Sequence, residues 1–121
     1  MATNSGEARP EERLRLLVAD DHPAILEAVA QFVAGEDDIE LVARATDGEQ
    51  ALRLIDGRRP DVAVLDIRMP KFGGIDVLKR LGLPPTMPAV ILYTGYPERS
   101  LLLEALDAGA RGFVPDSPCR E

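Results

Sequence analysis

Cysteine is nearly missing from this 121-residue sequence, where Cys119 stands alone, third from the end. One cysteine excludes an internal disulfide and any multi-cysteine zinc site. Basic clusters are scarce as well. The formal charge is -7, and the only adjacent basic pairs are Arg58-Arg59 and Lys79-Arg80. Nucleic-acid phosphates need clustered lysine and arginine, so the sequence predicts no direct nucleic-acid contact by this chain. No apolar run exceeds about ten residues, well short of a bilayer span. The first twelve residues, with Pro10 and two consecutive glutamates, lack the basic-then-apolar layout of a secretory leader. We read residues 1–12 as a flexible lead-in to a cytoplasmic protein with no membrane partner. Neither a fixed-period repeat nor a low-complexity segment is present.

What is there is an alternation of short apolar runs and helical patterns. Leu14 to Ala19 is an apolar run that stops at Asp20-Asp21, as a buried strand would. Pro23 suits a first helical turn, Ile25, Val29, Phe32 and Val33 recur at helical spacing, and Gly35 stops the helix. Ile39 to Ala45 alternates as a second strand. Thr46-Asp47-Gly48-Glu49 has capping-box spacing before a helix carrying Leu52 and Ile55 and closing at Gly57. Val62 to Leu65 is a third strand ending at Asp66. The loop from Met69 to Gly74 leads to a short helix with Ile75, Leu78 and Leu81, stopped by Gly82. Ala89 to Tyr93 is a fourth strand ending at Thr94. Pro97 opens a helix with Leu102, Ala105 and Leu106 that stops at Gly109, and Gly112 to Val114 is a fifth strand. Strand–helix alternation throughout predicts a single α/β domain, a doubly wound parallel sheet covered by helices.

The polar residues sit at strand ends: Asp20 and Asp21 after strand one, Asp66 after strand three, Thr94 after strand four. Open parallel sheets bind ligands beyond the carboxyl ends of their strands, near the point where strand order reverses. A flavodoxin-like order would set strands one, three and four side by side and pool these groups. Crowded carboxylates either share protons at raised pKa or bind a hard cation, and oxygen donors completed by water suit Mg²⁺ or Mn²⁺. A carboxylate beside such an ion can attack phosphorus, and Thr94 could donate to a phosphoryl oxygen. Each residue taken singly has a plainer reading. Asp21 could cap a helix, Asp66 could start a turn, and Thr94 could be a satisfied loop hydroxyl; it is their joint placement that points to chemistry. His22, the sole histidine, reads as a helix-start residue rather than a ligand beside hard carboxylates. Tyr93 and Tyr96 read as packing and loop cover.

These residues resemble a known family. Leu16-Leu17-Val18-Ala19-Asp20-Asp21-His22-Pro23, Thr46-Asp47-Gly48-Glu49-Gln50-Ala51, Pro60-Asp61-Val62 leading to Leu65-Asp66-Ile67-Arg68-Met69-Pro70, and Asp107-Ala108-Gly109-Ala110-Arg111-Gly112-Phe113 look like receiver domains of bacterial response regulators. The Asp-Asp-His-Pro start and the Ala-Gly-Ala-Arg-Gly-Phe stretch look most like the NarL/FixJ branch. The resemblance implies a five-stranded CheY-like sheet of order 2-1-3-4-5 over a receiver unit at residues 13–118, with 119–121 as a tail. It implies a phosphoacceptor switch rather than a turnover enzyme. Asp66 would accept a phosphoryl group from the phosphohistidine of a sensor histidine kinase. Asp20, Asp21, Asp66 and the main-chain carbonyl of Arg68 would ligate Mg²⁺. Thr94 would be the switch hydroxyl and Phe113 the switch aromatic. Regulation of transcription would run through an output domain not contained in this receiver unit, and a homodimer through helix four and strand five, or through helix one, is compatible with the family.

The sequence departs from the family pattern in two ways. Where the family has a lysine three residues after the switch aromatic, this chain has Asp116, and Pro115-Asp116-Ser117-Pro118 holds no lysine. Losing that charge should weaken phosphoryl stabilisation; Lys71, in a neighbouring loop, is the one candidate substitute. This departure supports an alternative reading, a degenerate receiver acting as a phosphorylation-independent interaction module. A third reading, an α/β phosphohydrolase, finds no general acid beside Asp66, since Ile67 and Arg68 follow it. Only seven residues follow Val114, whereas the family adds a fifth helix beside the first. The sheet face next to helix one should therefore be partly bare, to be covered by further chain or by a partner.

Overall fold

The computed structural model describes residues 12–82, 88–95 and 99–115. Strands β1 (Leu14–Ala19), β2 (Ile39–Ala45), β3 (Val62–Asp66), β4 (Ala89–Thr94) and β5 (Gly112–Pro115) alternate with helices α1 (Pro23–Ala34), α2 (Gly48–Arg58), α3 (Gly74–Leu81) and α4 (Arg99–Asp107). All strand pairs are parallel, in the order β2-β1-β3-β4-β5. The described chain ends on β5, so its helices are these four. The expected lead-in before Glu12, Tyr96, the Pro97 helix start, Asp116 and Cys119 lie outside the described residues.

Period-two alternation decides which side chains fill the core. Leu17 and Ala19 of β1, Ala63 and Leu65 of β3, and Val90 and Leu92 of β4 point to one face. There they meet Ala51 and Ile55 of α2, Val77 and Leu78 of α3, and Ala105 of α4. The other face is thinner. Leu26 and Val33 of α1 are buried, yet Val62, Val64 and Ile91 are only half-buried and Val114 is 50% exposed. The bare face expected next to helix one is thus present among the described residues.

Three local expectations change. The stripe that α1 buries runs through Leu26 and Val33, two turns apart; Phe32, one step round the helix, points away and is 65% exposed. Helix α2 runs past Gly57 to Arg58, and Arg59 closes it in the left-handed region at φ 52°, its N–H donating to Ile55 O at 3.0 Å. Pro60 follows and cannot continue a helix. The capping interaction of α2 falls one residue later than the Thr46–Glu49 spacing suggests. Asp47 Oδ1 accepts from Gln50 N at 2.8 Å, while Gln50 Oε1 accepts from Thr46 N at 3.1 Å.

Candidate cation and phosphoacceptor site

The carboxyl ends of β1, β3 and β4 open on one edge of the sheet. Asp20 follows the last residue of β1, and its N–H donates to Ala45 O at 3.0 Å, as if the strand continued. That bond keeps Asp20 buried at 1% exposure, while Asp21 turns out to solvent. Asp66 ends β3 at 8% exposure. Ile67 N donates to Tyr93 O at 2.9 Å, which holds the start of the following loop against β4. Thr94 is buried at the end of β4, one position beyond Tyr93, the register partner of Asp66. Phe113 on β5 pairs with Leu92 and packs partly buried against the core.

One ligand atom from each of Asp20, Asp21, His22 and Asp66 lies within 4.8 Å of every other. Burial lifts the Asp66 carboxyl from 3.8 to about 6; the Arg68 N–H donated to its Oδ1 at 3.1 Å opposes this, and the charges of Asp20 and Asp21 add to it. A carboxyl so destabilised as an anion fits a position where a cation would restore the charge. The donor set suits a hard dication, because two aspartates and the buried nucleophile candidate present oxygen to one small volume. Arg68 stands in the loop directly after Asp66, its N–H committed to that carboxylate.

Two side chains at this edge carry contacts beyond their sequence reading. His22 does start α1, but its ring makes no cap hydrogen bond. Instead Nδ1 lies 2.7 Å from Asp20 Oδ1 and 3.2 Å from Asp21 Oδ1. The Asp20 hydrogen bond, reinforced by the charges of Asp20 and Asp21, raises the imidazole pKa above 6.5. Tyr93 reaches from β4 past the end of β3, and its hydroxyl donates to Asp20 Oδ2. Its place immediately before Thr94 was the available signal, since any residue there stands at the same strand end.

Lys71 is turned elsewhere. Its Nζ lies 2.9 Å from Glu49 Oε1 and 3.9 Å from Asp47 Oδ2, at the first turn of α2. Its backbone has φ 69°, a left-handed conformation that side chains rarely adopt. The loop around it is packed closely. A Cβ on Gly73 would meet Ile67 O at 1.6 Å, and one on Gly48 would meet Phe72 O at 2.1 Å. Glycine at both positions therefore lets the loop after Asp66 lie against its own strand and against α2.

Comparison with known proteins agrees with this geometry. The family model described as the response regulator receiver domain matches residues 16–116. The probable transcriptional regulatory protein NarL of Mycobacterium tuberculosis (strain ATCC 25618 / H37Rv) is 36% identical over 103 residues, which are 85% of this chain and 48% of that protein. A protein-glutamate methylesterase/protein-glutamine glutaminase of Rhodopseudomonas palustris (strain ATCC BAA-98 / CGA009) is 34% identical over 106 residues, 87% of this chain and 29% of that enzyme. The chain thus spans about half the length of the transcriptional regulators it matches, at 47% and 48%. Among solved structures, the signal receiver domain of NarL from Mycobacterium tuberculosis superposes with a TM-score of 0.81 at 36% identity, covering 88% of this chain and 86% of that one. The strand order, the pooled strand-end carboxylates and these matches together make this chain a member of the response-regulator receiver family, in its NarL/FixJ-like branch.

Proposed function

We propose that this receiver unit, taken as residues 13–118, is a phosphorylation switch in which Asp66 accepts a phosphoryl group from a sensor histidine kinase. The observation that carries the reading is the convergence of Asp20, Asp21 and Asp66 within 4.8 Å at the carboxyl edge of the sheet. Asp20, Asp21, Asp66 and the main-chain carbonyl of Arg68 would hold Mg²⁺ or Mn²⁺. When bound, such an ion offsets the repulsion between the Asp66 carboxylate and an anionic phosphoryl donor. An Asp66 carboxylate oxygen attacks phosphorus; the new O–P bond forms as the P–N bond to the donor imidazole breaks, and that imidazole takes a proton from solvent. Thr94 would then donate its hydroxyl to a phosphoryl oxygen, and Phe113 would move inward behind it, a two-state packing change biased by about -1.5 to -2 of added charge.

The unit itself would transfer the phosphoryl group onto its own side chain and turn over no other substrate. Its output would be control of transcription in the cytoplasm, exerted through an output domain outside residues 13–118, with no nucleic-acid or membrane contact by the unit; a homodimer is compatible with this reading. Incubation with Mg²⁺ and acetyl phosphate tests the reading. Intact-mass measurement should show a gain of one phosphoryl group that Asp66→Asn abolishes. An unmodified wild-type chain, or a gain that persists in Asp66→Asn, would contradict it.

A second reading has one observation in its favour. The candidate substitute for the family lysine, Lys71, pairs with Glu49 and Asp47. A receiver with no lysine at the phosphoryl group would be a poor phosphoacceptor and would act by protein contact alone. Mg²⁺ binding without any mass gain favours that reading; phosphorylation that is slow or short-lived beside a lysine-bearing relative favours the first.

A further inference from the structure

A cavity of about 490 Å³ lies between the carboxyl-terminal halves of α2 and α3. Pro88, just before β4, closes it toward the amino edge of the sheet, away from the edge that carries Asp66. Its walls are apolar. Leu52 and Ile55 come from one stripe of α2, and Leu81 is the last residue of α3. Ile55 and Pro88 are buried, while Leu52 and Leu81 are half-buried. Small-molecule sites span about 300–1,000 Å³ and are mostly apolar, with a few polar groups that fix orientation.

The polar groups here are Asp56, Arg59 and Arg80. A basic residue near a helix C-terminus complements the helix dipole, and that accounts for each arginine singly. It does not account for how the basic residues at these two helix ends divide. Arg58 donates to Val42 O at 2.9 Å, and Lys79 donates to Glu104 Oε2 at 3.0 Å. Arg59 and Arg80, the two that line the cavity, enter no ion pair among the described residues. The main chain of Arg59 is held by Arg15 Nη1 at its carbonyl, at 2.6 Å, and by Ile55 O at its N–H. The Arg80 guanidinium lies 4.2 Å from the centroid of the Phe72 ring. Such a stack uses the face of the group and leaves its in-plane N–H donors available.

We propose that this cavity binds a small amphipathic carboxylate. Its apolar body would lie against Leu52, Ile55, Leu81 and Pro88, and its carboxylate would meet Arg59 and Arg80. Charge complementarity selects this occupant. Two guanidinium groups outnumber the one acid, so the cavity is locally positive on a chain of formal charge -7. A planar carboxylate matches the guanidinium fork, and a neutral ligand of the same shape forgoes that interaction. The site shares no residue with Asp20, Asp21 or Asp66, so it stands or falls apart from the phosphoacceptor reading.

Titration of the full ¹⁵N-labelled chain with naphthoate, and with the neutral naphthamide as control, tests the proposal by NMR. Naphthoate should shift the amides of Leu52, Ile55 and Leu81 with a Kd below about 1 mM, and naphthamide should bind at least about fivefold more weakly. Arg59→Gln and Arg80→Gln should each weaken naphthoate at least about threefold and leave naphthamide within about twofold. Asp56→Asn should tighten naphthoate about twofold or more, a gain that a misfolded chain would not give. Shifts centred on Val64, Ile91 and Val114, equal affinity for the two probes, naphthoate binding indifferent to both arginine variants, or no gain in Asp56→Asn would each overturn it.

Discussion

Lys71 Nζ and Glu49 Oε1 are 2.9 Å apart, which ties the loop after Asp66 to the first turn of α2. The pair is exposed on both sides, so solvent screens it and it adds little to stability. The backbone of Lys71 works against it, because φ 69° costs a side-chain-bearing residue about 1 kcal/mol. Lys71→Gly should therefore be at least as stable as the wild type, and Lys71→Met should be no more stable than it, in urea unfolding. Because the ammonium faces Glu49, both variants should be labelled by acetyl phosphate within about threefold of the wild-type rate. A collapse of labelling in both would mean that the lysine turns to the phosphoryl group after all.

Asp66 should make the cation-free chain pH-sensitive. Its carboxyl is raised from 3.8 to about 6 in the fold, so between these values the unfolded chain releases a proton that the folded chain keeps. Stability then falls as pH rises through that window, and the full penalty, on the order of 2 kcal/mol, is present above about pH 6. Without divalent cations, Asp66→Asn should stabilise the chain by about 2 kcal/mol at pH 7.5 and by much less at pH 4.5. Urea unfolding at the two pH values measures this, and an equal effect at both would exclude a raised Asp66.

The glycine after Phe72 has no room for a side chain. Gly73→Ala would drive its Cβ to 1.6 Å from Ile67 O, so the loop must leave the strand end that carries Asp66. The expected loss is about 3 kcal/mol or more, far above a surface substitution. Thermal unfolding of the variant reads it directly, and a stability within about 1 kcal/mol of wild type would show that the loop can relax.

Tyr93 supplies a hydroxyl to the buried carboxylate of Asp20. Tyr93→Phe removes one partner from a group that remains buried, which costs about 1–2 kcal/mol. Denaturant unfolding should show that loss in the cation-free chain, and the loss should shrink when a saturating dication satisfies Asp20 instead. A loss unchanged by Mg²⁺ would place the hydroxyl's role outside the cation site.

Much of the fold was legible because punctuation and pattern agree. The first and third apolar runs stop at aspartate, so Asp20 and Asp66 mark strand ends in the sequence as they do in the structure. The strand-end carboxylates could be pooled from topology alone. Single-residue matters were harder. Gly57 looked like a helix stop, but closure depends on where a left-handed residue meets Pro60, and Arg59 occupies that place. The α1 face was misjudged at Phe32 because helical spacing alone does not say which neighbouring stripe finds a partner. The hydroxyl of Tyr93 and the ammonium of Lys71 find partners through tertiary reach, past one intervening strand in the case of Tyr93, and spacing carries no trace of that.

Isothermal titration of Mg²⁺ into the wild-type chain and into Asp21→Asn and Asp66→Asn tests most directly whether these separate acidic residues serve one ion. One site per chain, weakened at least about tenfold by either substitution, is the predicted result. Equal affinity in all three proteins, or a site that survives loss of Asp66, would contradict the account.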